Sequence, residues 1–254
     1  MKRIILFAAL MLGFAGFAAA QSVTLLMDEA YPPYSYAENG KPKGIYVDII
    51  MEAAKLTPDY AITLKPLPWK RALAQMESGE EFALFPPYYR PEDRPWMDYS
   101  VPLLAETVAM FVTQDMASKK QLSKWPDDFK GMRVGLQSGF ATLSDEEKAM
   151  FNMSQASDIL ANLKKMAAGR IDGHPNDKLS VLWTLENNRS DPTLKDLKIT
   201  PAAVISEEVA YLAFSNSKNQ NFPYRDDFIA KMSAAVEKLK QSGKLQEIVD
   251  GWTK

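Results

Sequence analysis

Short β-prone runs alternate with helical stretches of regular apolar spacing along most of this chain, and that alternation restricts the fold more than any other feature. Val23-Thr24-Leu25-Leu26-Met27 stops at Asp28, and Ala61-Ile62-Thr63-Leu64-Lys65 leads to Leu67-Pro68-Trp69. Phe82-Ala83-Leu84-Phe85 runs into a proline-rich loop that holds Tyr89, Arg90 and Arg94. Between these runs lie a helix beginning near Val47 and another from Trp69 to about Ser78. In the second, Ala72, Leu73 and Met76 are the apolar positions and Gly79 marks the end. The repeated strand, helix, strand order predicts an α/β fold with a mostly parallel sheet covered by helices. In open sheets of this kind ligands bind beyond the carboxyl ends of the strands, so Asp28 and Tyr31, delivered there by the first strand, are the first candidate site residues.

The second half continues the pattern. Thr107 to Val112 reads as a strand, and Lys130 to Gly139 as a strand followed by a turn. Ser144 with Glu147 makes a capping-box start for a short helix. Ile159, Leu160, Leu163, Met166 and Ala167 fall on one face of a helix that ends at Gly169. Asp177 starts another helix, with Leu179, Leu182 and Leu185 expected on its inner side. Tyr211 to Phe214 is a strand. Two closing helices are marked by Phe228, Met232, Ala235 and Leu239, and by Leu245, Ile248 and Trp252.

Composition narrows the class. Lys2 and Arg3, the apolar run Ile4 to Phe17 and Ala18-Ala19-Ala20 have the form of an export signal cleaved after Ala20. The apolar run is short for a membrane-spanning helix, which needs about 20 residues. The expected location is therefore the periplasm. A chain without cysteine has no disulfides, so its stability must come from a core, and the 234 residues left after removing 20 from 254 suffice for one large domain or two small ones. Removing Lys2 and Arg3 leaves 28 basic against 32 acidic residues, a net charge of −4, which argues against nucleic acid as a partner. One histidine and no cysteine give no metal-ligand cluster of recognisable spacing, and no phosphate-cradling glycine loop is present, so no metal or cofactor is expected.

Several stretches occur in an order that resembles the bacterial extracellular solute-binding proteins of family 3, the polar amino acid type. Tyr31-Pro32-Pro33-Tyr34 followed by Gly44-Ile45-Tyr46-Val47-Asp48 is similar to the turn and helix that open the first lobe of that family. Asp98-Tyr99-Ser100 with Pro102, Lys130-Gly131 through Ser138-Gly139, Arg170-Ile171-Asp172, and Gly243-Lys244-Leu245 through Trp252 match later family segments. The resemblance implies a periplasmic-binding-protein-like type II fold with two crossover segments. Lobe one would comprise 21–104 plus 209–254, and lobe two 105–208. It also implies a monomer that captures a small-molecule ligand and presents it to the membrane permease of an ABC transporter.

In that family two lobes close on a small zwitterion, and the resemblance assigns roles to positions here. Tyr31 and Trp69 stand where aromatic rings sandwich the ligand, with Tyr34 either beside them or packed beneath the turn. Arg94 stands at the carboxylate-binding arginine, with Arg90 as its rival, and Asp177 at the ammonium-binding aspartate. Asp177 is equally well placed to cap the helix it starts. Gln137, Phe140 and Tyr89 complete the implied ligand-binding set. Departures accompany the matches. Pro86, Pro87 and Tyr89 replace small or hydroxyl residues, and the prolines remove two backbone donors. Phe140 stands where a threonine is common, with Thr142 the nearest hydroxyl, so a bulkier, more aromatic or differently charged solute becomes plausible. His174 reads as a structural histidine. Two other readings stay open: an enzyme on the same fold, of the cyclohexadienyl dehydratase type, and a ligand-sensing partner of a membrane receptor.

Overall fold

The computed structural model describes residues 20–217 and 222–253, so residues 1–19 of the expected export signal lie outside the described residues. The chain opens with β1 (Gln21–Asp28), followed by a small antiparallel sheet of β2 (Ala30–Tyr31), β3 (Ser35–Glu38) and β4 (Lys41–Lys43) that was not evident in the sequence. Helix α1 (Ile45–Ala54) then starts two residues before Val47, and β5 (Tyr60–Leu67), α2 (Trp69–Ser78) and β6 (Ala83–Phe85) follow in the expected order. Strand β1 pairs in parallel with β5 on one side and β6 on the other. Gly79 closes α2 in the left-handed region, at φ 78°, where glycine carries no Cβ penalty.

The strand expected at Thr107 to Val112 is part of one long strand, β7 (Met97–Thr113), which also absorbs Asp98-Tyr99-Ser100. The chain continues through α3 (Gln114–Lys119), β8 (Arg133–Gln137), α4 (Asp145–Lys148), β9 (Asn152–Ala156), α5 (Ile159–Ala167), β10 (Gly173–Asp177) and α6 (Lys178–Asn187). It returns in a second long strand, β11 (Ile199–Ser215), and ends with α7 (Arg225–Gln241) and α8 (Lys244–Thr253). The sheet order is β5-β1-β6-β11-β7-β10-β8-β9. Strands β7 and β11 pair antiparallel along their length, one end of the ribbon joining β6 and the other β10. Register shifts between Val209 and Tyr211, and between Tyr211 and Ala213, interrupt the ribbon where its two halves meet. The result is a mixed, mostly parallel α/β fold of the type II periplasmic-binding-protein kind, with β7 and β11 as its two crossovers.

Helix α6 departs from its expected inner face. Leu182 is 38% exposed, while Ser180, Val181, Thr184 and Leu185 are buried. Steps of three residues fall about 60° short of a full helical turn, so Leu179, Leu182 and Leu185 drift around the cylinder. The closing helices behave as expected: Phe228, Met232, Ala235 and Leu239 of α7 are buried with Leu25, Met27, Ile49 and Ile50 in one apolar core.

Candidate functional site

The first turn is built as a unit. Ser35 Oγ donates to the carbonyl of Asp28 at 2.8 Å, and Tyr34 N donates to Tyr31 O at 3.0 Å. The first free N–H groups of α1 are satisfied by the turn itself, Ile45 N on Pro33 O at 2.9 Å and Tyr46 N on Tyr34 O at 2.9 Å. Gly44 permits this approach: its φ is 125°, and a Cβ there would lie 2.3 Å from the Tyr34 carbonyl oxygen. Spacing and glycine together therefore hold Asp28 at the end of β1 and Tyr31 beside it in β2.

A cavity of about 30 Å³ lies between this turn and the start of α2. Asp28, Tyr31, Trp69 and Arg94 border it from one side and Phe140 and Thr142 from the other, while Tyr88 adds a further aromatic wall. Arg94 is 7% exposed, and its guanidinium carbon sits 5.8 Å from the centre of the Trp69 ring. It hydrogen-bonds the Tyr99 hydroxyl, and no carboxylate among the described residues forms an ion pair with it. Burial lowers its pKa from the ordinary arginine value. Arg90, the rival, also borders the cavity, but its guanidinium is already paired. Its two terminal nitrogens grip Glu208 at 2.8 and 2.6 Å. The Thr142 hydroxyl is buried and has no hydrogen-bond partner among the described residues. Asp28 is 1% exposed, and burial raises its pKa to about 7 against the opposing Ala30 N–H.

Four candidates stand elsewhere. Asp177 does not border the cavity: it caps α6, accepting from Ser180 N at 2.7 Å, and the Tyr34 hydroxyl donates to it. Burial raises its pKa to about 6. Tyr34 lies beneath the turn, its ring stacked on Tyr46 at 5.3 Å and 23°. Tyr89 is 54% exposed and packs on Tyr99 at 4.9 Å, facing an outer groove. Gln137 is buried at the edge of that groove and donates to Ala30 O at 3.4 Å. His174 is fully buried, its Nδ1 bonded to Gly135 O at 2.8 Å, and burial lowers its pKa to about 4.

Sequence reasoning missed the polar centre behind the cavity. Glu106, on β7, is 2% exposed. Tyr46 donates to its Oε1, while Tyr31 and Tyr88 both donate to its Oε2, Tyr88 at 2.6 Å. The Tyr31 and Tyr88 hydroxyls are also 2.8 Å apart. Three oxygens thus make three mutual contacts. An ionised Glu106 leaves only the two phenolic protons to fill them, whereas a protonated one supplies the third. Burial, with Asp177 nearby, raises the Glu106 pKa to about 8. Its only sequence signal is that it is the single charge in the apolar run Val101 to Val112, where an unpartnered carboxylate would be costly to bury.

Chemically, this arrangement offers a buried cation, a free hydroxyl and a titratable carboxyl around aromatic walls, the furnishing of a site for a small anionic or zwitterionic molecule. The fold is similar to that of a histidine kinase sensor domain with similarity to periplasmic binding proteins, with a TM-score of 0.78, 18% identity and coverage of 92% of this chain and 96% of that one. It is similar to the arginine-, lysine-, histidine-binding protein ArtJ from Geobacillus stearothermophilus, with a TM-score of 0.73, 21% identity and coverage of 91% and 95%. It also resembles the ancestral amino acid-binding protein AncCDT-1, a precursor of cyclohexadienyl dehydratase, with a TM-score of 0.71, 15% identity and coverage of 92% and 96%. No curated protein matches the sequence. Residues 23–254 match the family model, and the chain belongs to the bacterial extracellular solute-binding proteins, family 3.

Proposed function

We propose that this chain is the periplasmic solute-binding component of an ABC importer, and that it captures a small anionic or zwitterionic solute in the cleft between two lobes, 21–104 plus 209–254 and 105–208. The observation that carries the reading is Arg94, a buried guanidinium over the Trp69 ring, bordering a cavity and forming no ion pair with a carboxylate among the described residues. A buried cation is costly unless matched, and a solute carboxylate would match it with two parallel hydrogen bonds. The Thr142 hydroxyl, which has no hydrogen-bond partner among the described residues and borders the cavity from lobe two, supplies a further donor. An ammonium group on the solute would meet Asp28 on the cavity wall, not Asp177, whose carboxylate is occupied by Tyr34 and the amides of α6. Because both lobes contribute to the cavity, bound solute favours the closed form, which the permease would recognise.

Titration calorimetry against pooled amino acids, amines and small organic acids tests this reading, with Arg94→Met as the partner experiment. Binding of an anion-bearing solute that falls at least about thirtyfold in Arg94→Met supports it. Equal binding by the two chains counts against it.

Asp28 also gives the enzymatic alternative a candidate acid on the cavity wall, since its carboxyl is buried there with a pKa near 7. Incubation with prephenate or arogenate distinguishes the readings: an aromatic product that disappears in Asp28→Asn would favour the enzyme.

A further inference from the structure

We propose that Phe140 sets the size of the solute this cleft accepts, restricting it to an anion or zwitterion about as large as acetate or glycine. The inference rests on the Arg94-anchored reading above and adds to it the dimensions of the occupant. Phe140 arrives from the turn after β8, and its ring meets Tyr31 edge-on at 5.4 Å and 78° and Trp69 at 6.2 Å and 67°. Edge-to-face packing against both rings means that the protein's own phenyl group takes up apolar surface that a larger solute would otherwise cover.

The turn that carries Phe140 is held in place. Phe140 N donates to Gln137 O at 3.1 Å, and Gly139 adopts φ 86°. A Cβ on Gly139 would lie 3.3 Å from Trp69 Cδ1 and 3.4 Å from Lys70 Cβ, so the turn already rests against the first residues of α2. Little further approach of the two lobes is available to reshape the space.

What remains beside Arg94 is about 30 Å³. That is room for a few waters or a small anion. Its polar furnishing fits that occupant. Arg94 and Thr142 face it as donors and Asp28 as an acceptor, with Arg90, already paired to Glu208, also on its border, while the Tyr31 and Tyr88 hydroxyls turn to Glu106. The groove on the other side of Phe140 is far larger, about 890 Å³, but its acids, Glu92, Asp93, Asp145, Glu146, Glu147 and Glu208, outnumber its cations, Arg90 and Lys148, and disfavour an anion.

The test measures binding of acetate, glycine, benzoate and L-arginine by NMR titration of the Trp indole N–H signals, in the wild-type chain, Phe140→Ala and Phe140→Leu. The wild-type chain should bind acetate or glycine, and benzoate and L-arginine at least about tenfold more weakly. Phe140→Ala should tighten benzoate at least about tenfold, because the added ring replaces the lost phenyl, with Phe140→Leu in between. Benzoate or L-arginine binding the wild-type chain as tightly as Phe140→Ala overturns the proposal, as does the absence of binding by any probe to any of these chains. Arg94→Met separates the two ideas. Acetate binding that is unchanged in Arg94→Met defeats the anchoring reading, whereas size discrimination that persists in Phe140→Ala with Arg94 still required defeats the role of Phe140 alone.

Discussion

Replacing Glu106 by glutamine should flatten the dependence of stability on pH. In the folded chain burial raises the Glu106 pKa from 4.5 to about 8, even though three tyrosine hydroxyls favour the charged form. The folded state therefore keeps a proton that the unfolded chain sheds above about pH 4.5, and the sign follows directly. The contribution of the buried acid is fully present below about pH 4.5 and is lost as pH rises through about 8. A gap of about 3.5 pKa units corresponds to roughly 5 kcal/mol at most. Asp177 titrates beside it, so the protons leave as a coupled pair, and Asp28 acts in the same direction. The informative quantity is thus the difference between two chains. Urea unfolding of wild type and Glu106→Gln, from about pH 5 to about pH 9, should give a difference in stability that shifts by several kcal/mol toward the variant across that range. A constant offset from imperfect amide geometry leaves the slope untouched. Parallel stability curves would refute the protonated centre and the proton count of the Glu106, Tyr31 and Tyr88 triangle.

Other outcomes follow from individual contacts. An ionised Asp28 repels a bound anion, so acetate affinity should fall as pH rises through about 7, and calorimetry on Asp28→Asn should show most of that fall removed. Gly44→Ala places a Cβ 2.3 Å from the Tyr34 carbonyl oxygen at φ 125°, and should lower the urea-unfolding stability by roughly 3 kcal/mol or more. Asp158→Ala removes the acceptor that caps α5 at Ala161 N, 2.7 Å away, and should cost about 1 kcal/mol in a thermal melt at neutral pH.

Elements whose signal is local were legible in the sequence. Trp69 to Ser78 emerged with both ends correct because Pro68 and Gly79 punctuate it, and the Ser144 and Glu147 capping box is present as expected. The crossovers were harder. Thr107 to Val112 read as a strand of its own, yet tertiary pairing with β11 carries it back through Pro102 to Asp98-Tyr99-Ser100. The site was legible in part for the same kind of reason. Tyr31 and Trp69 border one cavity because one ends β2 and the other starts α2, and Arg94 joins them from the loop between β6 and β7. Asp177 carried two compatible readings, and its capping role is the one made by short-range geometry. Glu106 left almost no trace. Its partners Tyr31, Tyr46 and Tyr88 are 75, 60 and 18 residues away in sequence, and only folding brings their hydroxyls to one carboxyl.

The most direct test of solute capture at Arg94 is a crystal structure of the protein purified without refolding and grown with the tightest-binding solute. The account predicts an anionic group against the Arg94 guanidinium, between Trp69 and the Thr142 hydroxyl, with Phe140 still packed on both aromatic walls. A solute seated in the outer groove among Glu92, Asp93 and Lys148, beyond the reach of Arg94, would contradict it.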